Sequence, residues 1–136
     1  MKYHPTKIAP NFVVPDVEAT AKYYCEVLGF TSVTYDGEPP GFALVEWEQV
    51  AIMFKSYPGV KAAVSNRKIH EDVGWDAYLW VADVELACAE IRGRGGRIVR
   101  EIEETHYGYR EFEVEDLNGL LLCFGQDSSV AQEVSE

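Results

Sequence analysis

Several side chains able to do chemistry fall at spacings that bring them together. Asp76, Tyr78 and Trp80 alternate along one apolar run, and Glu111 and Glu113 alternate along another, so each set shares one face of a strand. Phe42 opens an earlier run, and Tyr107 stands just before the run that carries Glu111. Four flat rings (Phe42, Tyr78, Trp80, Tyr107) with Asp76 and Glu111 among them suit a planar, cationic guest, held by stacking and cation–π attraction. Tyr107, Glu111 and Asp76 are also groups that could pass protons in a metal-free reaction. Rings on strands serve as core as well, so it is their combination with carboxylates that points to a ligand site.

Other chemistries find little support. The chain has no GxSxG elbow, no phosphate-binding P-loop and no HExxH pair. Its three cysteines, Cys25, Cys88 and Cys123, are widely spaced and form no CxxC pair, which speaks for reduced thiols over a disulfide framework or zinc knuckle. Arg94-Gly95-Gly96-Arg97 follows a helical pattern and does not open one, which is the wrong place for a phosphate cradle.

The formal net charge is −11, from 23 acids against 12 bases, a field that repels phosphate backbones and attracts cations. Nucleic acid is therefore not an expected partner. No run reaches the roughly 18 apolar residues of a membrane span, and the opening MKYHPTKIAPN lacks the apolar core of a signal peptide. A cytoplasmic protein with no membrane partner is expected.

The elements that must position these residues come as a repeat. Val14-Pro15-Asp16-Val17-Glu18 returns as Val81-Ala82-Asp83-Val84-Glu85, 67 residues on, and the same offset carries Gly29 onto Gly96. Asp16 and Asp83 are good helix N-caps, with Glu18 and Glu85 in a first turn that favours negative charge. Val17, Ala21, Tyr24 and Leu28 recur at helical spacing, as do Val84, Cys88 and Ile91, and Gly29 and Gly95-Gly96 suit the left-handed residue that ends a helix. Strand-like runs precede each helix (Asn11 to Val14, Ala77 to Val81). Three more follow it: Phe30 to Tyr35, Phe42 to Trp47 and Gln49 to Lys55, then Arg97 to Glu101, Tyr109 to Glu115 and Leu120 to Phe124. Asn118-Gly119 is a hairpin signal. The reading is an α+β chain of two β-α-β-β-β modules, over 5–56 and 74–126. Residues 57–73 form a linker long enough to act as a lid, and 127–136 a disordered tail. One helix covers one face of each sheet, and the other face is left for a partner or a ligand.

This pattern resembles the vicinal oxygen chelate superfamily of glyoxalases, bleomycin-resistance proteins and extradiol dioxygenases. The likeness runs from about Ile8 to Gln126. It rests on Val14-Pro15-Asp16-Val17, Tyr24 through Phe30, Asp83-Val84, and Tyr107 through Phe112 leading to Asp116-Leu117-Asn118-Gly119. The resemblance implies tandem modules whose curled mixed sheet surrounds a central cleft. It also implies a homodimer, in which Pro10, lacking a ladder donor, suits an edge or a subunit boundary.

In metal-dependent members the resemblance implies four ligand positions, which here carry Ala9, Met53, Asp76 and Cys123. Ala offers nothing and Met is a soft donor, and none of His4, His70 and His106 falls on a ligand position, so no metal and no other cofactor are expected. The bleomycin-resistance branch lacks the metal ligands and binds drug in an aromatic groove at a dimer interface. This chain resembles it in Phe42-Ala43, Tyr78-Leu79-Trp80-Val81 and Gly108 through Phe112. The expectation is a metal-independent protein that sequesters an aromatic or cationic small molecule such as a bleomycin-type antibiotic. The ligand contacts would be Phe42, Asp76, Tyr78, Trp80, Tyr107 and Glu111. The alternatives are a metal-dependent lyase, isomerase or dioxygenase with an unusual set such as Asp76, Cys123 and Glu111, and a binding module with no small ligand of its own.

Overall fold

A computed structural model describes residues 2–72 and 74–129. The chain divides into two units between Val64 and Ser65. The first has β1 (Asn11–Val13), α1 (Val17–Glu26), β2 (Ser32–Asp36), β3 (Phe42–Trp47) and β4 (Val50–Lys55). The second has β5 (Ala77–Trp80), α2 (Val84–Gly93), β6 (Arg97–Glu104), β7 (Tyr109–Glu115) and β8 (Leu121–Asp127). The sheets run β1-β4-β3-β2 and β5-β8-β7-β6, each with one parallel pair closing an otherwise antiparallel sheet. The expected two-module α+β fold is what the chain adopts.

The two helices begin for the same reason. Asp16 accepts from the Ala19 amide at 3.0 Å and Asp83 from the Leu86 amide at 3.1 Å, each satisfying one of the amides that a helix start leaves unpaired. Gly29 and Gly95 take positive φ just past the helix ends. In the first unit Tyr24 is buried against Phe54, their ring centroids 4.8 Å apart, with Val17, Ala43, Val45 and Ile52 completing a closed apolar layer. In the second, Val84, Cys88 and Ile91 of α2 are buried, as are Phe112, Val114, Leu122 and Phe124 on adjoining strands. Phe112 and Phe124 stack there at 5.0 Å.

Several bounds differ from the expectation by one or a few residues. β6 continues to Glu104 and β8 to Asp127, because cross-strand pairing with β7 persists beyond the apolar run that marked each strand in the sequence. The segment expected as a linker includes a 3-10 turn over Asn66–Lys68, and its residues from Ser65 on belong to the second unit. Of the expected tail, Ser128 bonds through both its amide and its hydroxyl to the Gly108 carbonyl, and residues 130–136 lie outside the described residues. The Asn118-Gly119 turn is present. Gly119 has φ +82°, which other residues adopt only with strain, and the Asp116 side chain accepts from the Asn118 and Leu120 amides. That turn fixes the β7–β8 register on which the site depends.

Candidate functional site: a carboxylate under aromatic rings

The second unit's sheet has an apolar face carrying Phe112, Val114, Leu122 and Phe124, suited to α2. Alternation puts Tyr109, Glu111, Glu113 and Cys123 on the other. Glu111 is the centre of that second face. It is 1% exposed. Its Oε2 accepts from the Tyr78 hydroxyl at 2.8 Å and from the Tyr107 hydroxyl at 2.5 Å, while Oε1 accepts from Arg100 Nη2 at 3.1 Å. A buried carboxylate this well supplied with donors stays charged.

Arg100 joins three acids: its Nη2 also reaches Glu113 Oε2 at 3.0 Å, and its Nη1 reaches Glu103 Oε1 at 2.7 Å. Arg67, from the 3-10 turn, approaches the other Glu113 oxygen at 3.3 Å and donates to the Gly74 carbonyl at 2.6 Å. One fully engaged arginine against three carboxylates leaves this face net acidic even with Arg67 counted.

The rings form a connected set over that charge. Tyr78 lies 4.7 Å from Trp80, 5.1 Å from Trp75 and 6.2 Å from Tyr109, and Tyr109 lies 5.8 Å from Tyr107. The Trp80 indole N–H donates to the Tyr109 hydroxyl at 3.3 Å. Trp80 is nevertheless 70% exposed and Tyr107 49%, which for rings this size is a surface offered to something else. Tyr107 is carried on the β6–β7 turn, held by the Thr105 amide donating to the Tyr109 carbonyl at 2.7 Å and the Gly108 amide to the Thr105 carbonyl at 3.2 Å.

The electrostatics push the groups apart in acidity. Burial alone would raise the Glu111 pKa, but the bonds from Tyr107, Tyr78 and Arg100 outweigh it and hold the carboxyl below its ordinary value. Burial and the same carboxylate push the Tyr107 hydroxyl up to about 12 and raise Tyr78 further. Burial, then the Glu111 charge, raises the Cys123 thiol as well. At neutral pH the carboxylate is therefore an anion, and both phenols and the thiol hold their protons.

Of the six expected ligand contacts, Tyr78, Trp80, Tyr107 and Glu111 come together in this unit. Phe42 belongs to the first unit, on β3 between Asp36 and Lys55. Asp76 is in the second unit but is already engaged. Its oxygens accept from the Ser65 hydroxyl at 2.6 Å, the Asn66 amide at 2.6 Å and the Leu121 amide at 2.9 Å, so it ties the chain entering the module to the start of β8. Trp75, Tyr109 and Arg100 complete the face and were not singled out from the sequence. Tyr109 stands two residues before Glu111 on the same strand, so alternation could have found it.

The metal positions do not fit an ion. Ala9 has no donor, Met53 a thioether and Asp76 two occupied oxygens, which leaves the buried Cys123 thiol as the remaining donor of the set. Among the described residues, no group of three or more His, Cys, Asp or Glu side chains is arranged to hold a metal. Nor is any helix of these residues long and apolar enough to cross a membrane.

Comparison with solved structures finds the same fold in many proteins. TioX from Micromonospora sp. ML1 superposes with a TM-score of 0.71 at 17% identity, covering 90% of this chain and 99% of that one. A bleomycin resistance determinant encoded on the transposon Tn5 gives 0.67 at 20% identity, over 90% and 98%. A bleomycin-binding protein complexed with bleomycin gives the same values. No curated protein matches the chain. The family model of the Glyoxalase/Bleomycin resistance protein/Dioxygenase superfamily matches residues 7–124, nearly the whole two-module repeat. On that match and this fold, the chain belongs to the Glyoxalase/Bleomycin resistance protein/Dioxygenase superfamily.

Proposed function

We propose that this chain is a metal-independent binding protein that sequesters a small aromatic, cationic molecule such as a bleomycin-type antibiotic. The observation that carries the reading is the exposed ring surface of Trp80 and Tyr107 above the buried, charged Glu111. Rings offer stacking area, and an anion hydrogen-bonded to the phenols enriches the electron density that a cation meets over the ring face. The net charge of −11 favours cationic guests at longer range. The fold is shared with a bleomycin-binding protein solved with its drug, which lends support without setting the ligand of this chain.

Acid–base catalysis by the same residues fits less well. A general acid or base works best with a pKa near the operating pH. Here Glu111 is shifted down and Tyr107 and Tyr78 up, all away from neutrality. The proposal includes a homodimer, so that the protein would elute near twice its 15.3 kDa mass.

The test is a titration of tryptophan fluorescence with bleomycin and with smaller aromatic cations, on protein whose metal content has been measured before and after loading with iron, manganese, nickel and zinc. Saturable quenching by cations in metal-free protein supports the proposal. Stoichiometric metal that survives dialysis, with turnover of a glyoxalase or dioxygenase substrate, overturns it.

A further inference from the structure

The Tyr78–Glu111–Tyr107 arrangement has a direction. A phenol has one proton to donate and lone pairs with which to accept. The Tyr78 and Tyr107 protons are both spent on Glu111 Oε2, at 2.8 and 2.5 Å. Glu111 itself is too deeply covered, at 1% exposure, for a guest to reach. What the two tyrosines have left to show a guest is accepting oxygen, made more basic by a carboxylate that draws on each O–H. Of the other polar atoms in this ring set, the Trp80 indole N–H is likewise turned inward, to the Tyr109 hydroxyl at 3.3 Å.

We infer that Glu111 sets the hydrogen-bond polarity of the site, so that it selects guests presenting N–H donors, such as amidinium, guanidinium or primary ammonium groups on an aromatic frame, and disfavours guests presenting carbonyl or carboxylate oxygens. This rests on the binding-protein reading above and narrows it from charge to the donor groups that carry the charge. Glu111 is here a positioning residue: it never touches the guest but decides which way the phenol protons point.

Substitution of Glu111 by Gln makes the inference testable. Arg100 on the Oε1 side calls for the amide oxygen there, which turns the amide N–H groups toward the phenols. The tyrosine oxygens then accept from the amide, and their own protons are free to point at the guest. The site's polarity reverses while its shape is kept.

The experiment titrates wild type and E111Q with four matched probes by tryptophan quenching: benzamidine, phenyltrimethylammonium, benzamide and benzoate. In wild type, benzamidine should bind about tenfold more tightly than phenyltrimethylammonium, which has the charge but no N–H, and benzoate should bind least. In E111Q the benzamidine advantage should vanish and benzoate should gain about tenfold. In Tyr107→Phe, which keeps the fold testable should E111Q not fold, benzamidine should lose roughly threefold to tenfold and phenyltrimethylammonium should be unchanged. Equal binding of the two cations by wild type overturns the polarity inference and leaves the cation-binding reading standing. Failure of every probe at millimolar concentration overturns both. An E111Q protein that folds yet keeps the wild-type order of probes shows that Glu111 does not set the polarity.

Discussion

A Cβ built on Gly125 would stand 1.7 Å from the Tyr78 hydroxyl oxygen and 2.5 Å from Cζ, so this phenol lies in the space where a side chain at position 125 would begin. Glu111 is the cross-strand partner of Gly125, and the glycine is what lets the Tyr78 ring lie flat enough to reach the carboxylate. Gly125→Ala should therefore swing Tyr78 out, break its bond to Glu111 and disturb its packing on Trp75 and Trp80. A loss of about 1–3 kcal/mol is expected from the carboxylate's lost donor, with weaker probe binding. The check is a double-mutant cycle in urea: on a Tyr78→Ala background the same Gly125→Ala change should cost much less. Equal costs on both backgrounds would mean that the clash lies elsewhere.

Acid should weaken the protein through Glu111. Its folded pKa is held below the unfolded value, so its contribution to stability is complete above the unfolded carboxyl range and is lost as pH falls through the folded pKa. Replacing Glu111 by Gln removes a buried, triply hydrogen-bonded charge. It should cost about 2–4 kcal/mol at pH 7 and progressively less toward acid. Urea midpoints for wild type and E111Q across the acid range should converge, and parallel curves would contradict the assignment.

Arg100 predicts the opposite slope. Its guanidinium bonds to Glu103, Glu111 and Glu113, two of which are almost wholly buried. Arg100→Met leaves these acids facing one another with only Arg67, against Glu113, as counter-charge, and about 3–5 kcal/mol should be lost at neutral pH. Protonating the acids relieves their repulsion, so this variant should gain stability on mild acidification where wild type does not. A variant that simply tracks wild type at lower stability would show the arginine to be a packing residue only.

Arg100 also shows where the sequence stops being legible. The repeat, both Asp caps, the Asn118-Gly119 turn and the shared face of Glu111 and Glu113 all follow from spacing, because each is a local, periodic signal. On an unbroken strand Ile98 and Arg100 would share a face. Instead the pairing of β6 with β7 shifts between Ile98 and Arg100 and again before Glu103, so Ile98 sits opposite apolar Val114 while Arg100 sits opposite Glu113. A bulge reverses side-chain parity and leaves no mark in composition. Asp76 is the converse case: alternation does set it in step with Tyr78 and Trp80. Its role is decided by Ser65 and Asn66, which come from a stretch with no periodicity to read.

The tyrosines carry the alkaline limb. Tyr107 is one of eight tyrosines, and its hydroxyl is pushed up to about 12 by burial and by the Glu111 carboxylate. A phenol whose folded pKa exceeds its unfolded value contributes stability that is present below the unfolded pKa and is lost as pH rises through the folded one. Phenolate absorbance of Tyr107→Phe subtracted from that of wild type should show a single step near about 12 and no step near the ordinary tyrosine value of 10. A difference step near the ordinary value would mean that the Tyr107–Glu111 bond does not form in solution.

Asp76 separates anchoring from ligand contact. With its oxygens engaged by Ser65, Asn66 and Leu121, the carboxylate has structural work that needs no guest. Asp76→Ala should cost about 2 kcal/mol or more, because two backbone amides and a hydroxyl lose their acceptor together. It should also raise hydrogen exchange at the Asn66 and Leu121 amides, which donate to Asp76. Affinity for benzamidine should stay within about twofold of wild type, since the phenol–carboxylate group lies on other residues. Protected amides together with a large loss of affinity would return Asp76 to the binding surface, and the acidic contribution to guest binding would then be direct instead of passing through the tyrosines.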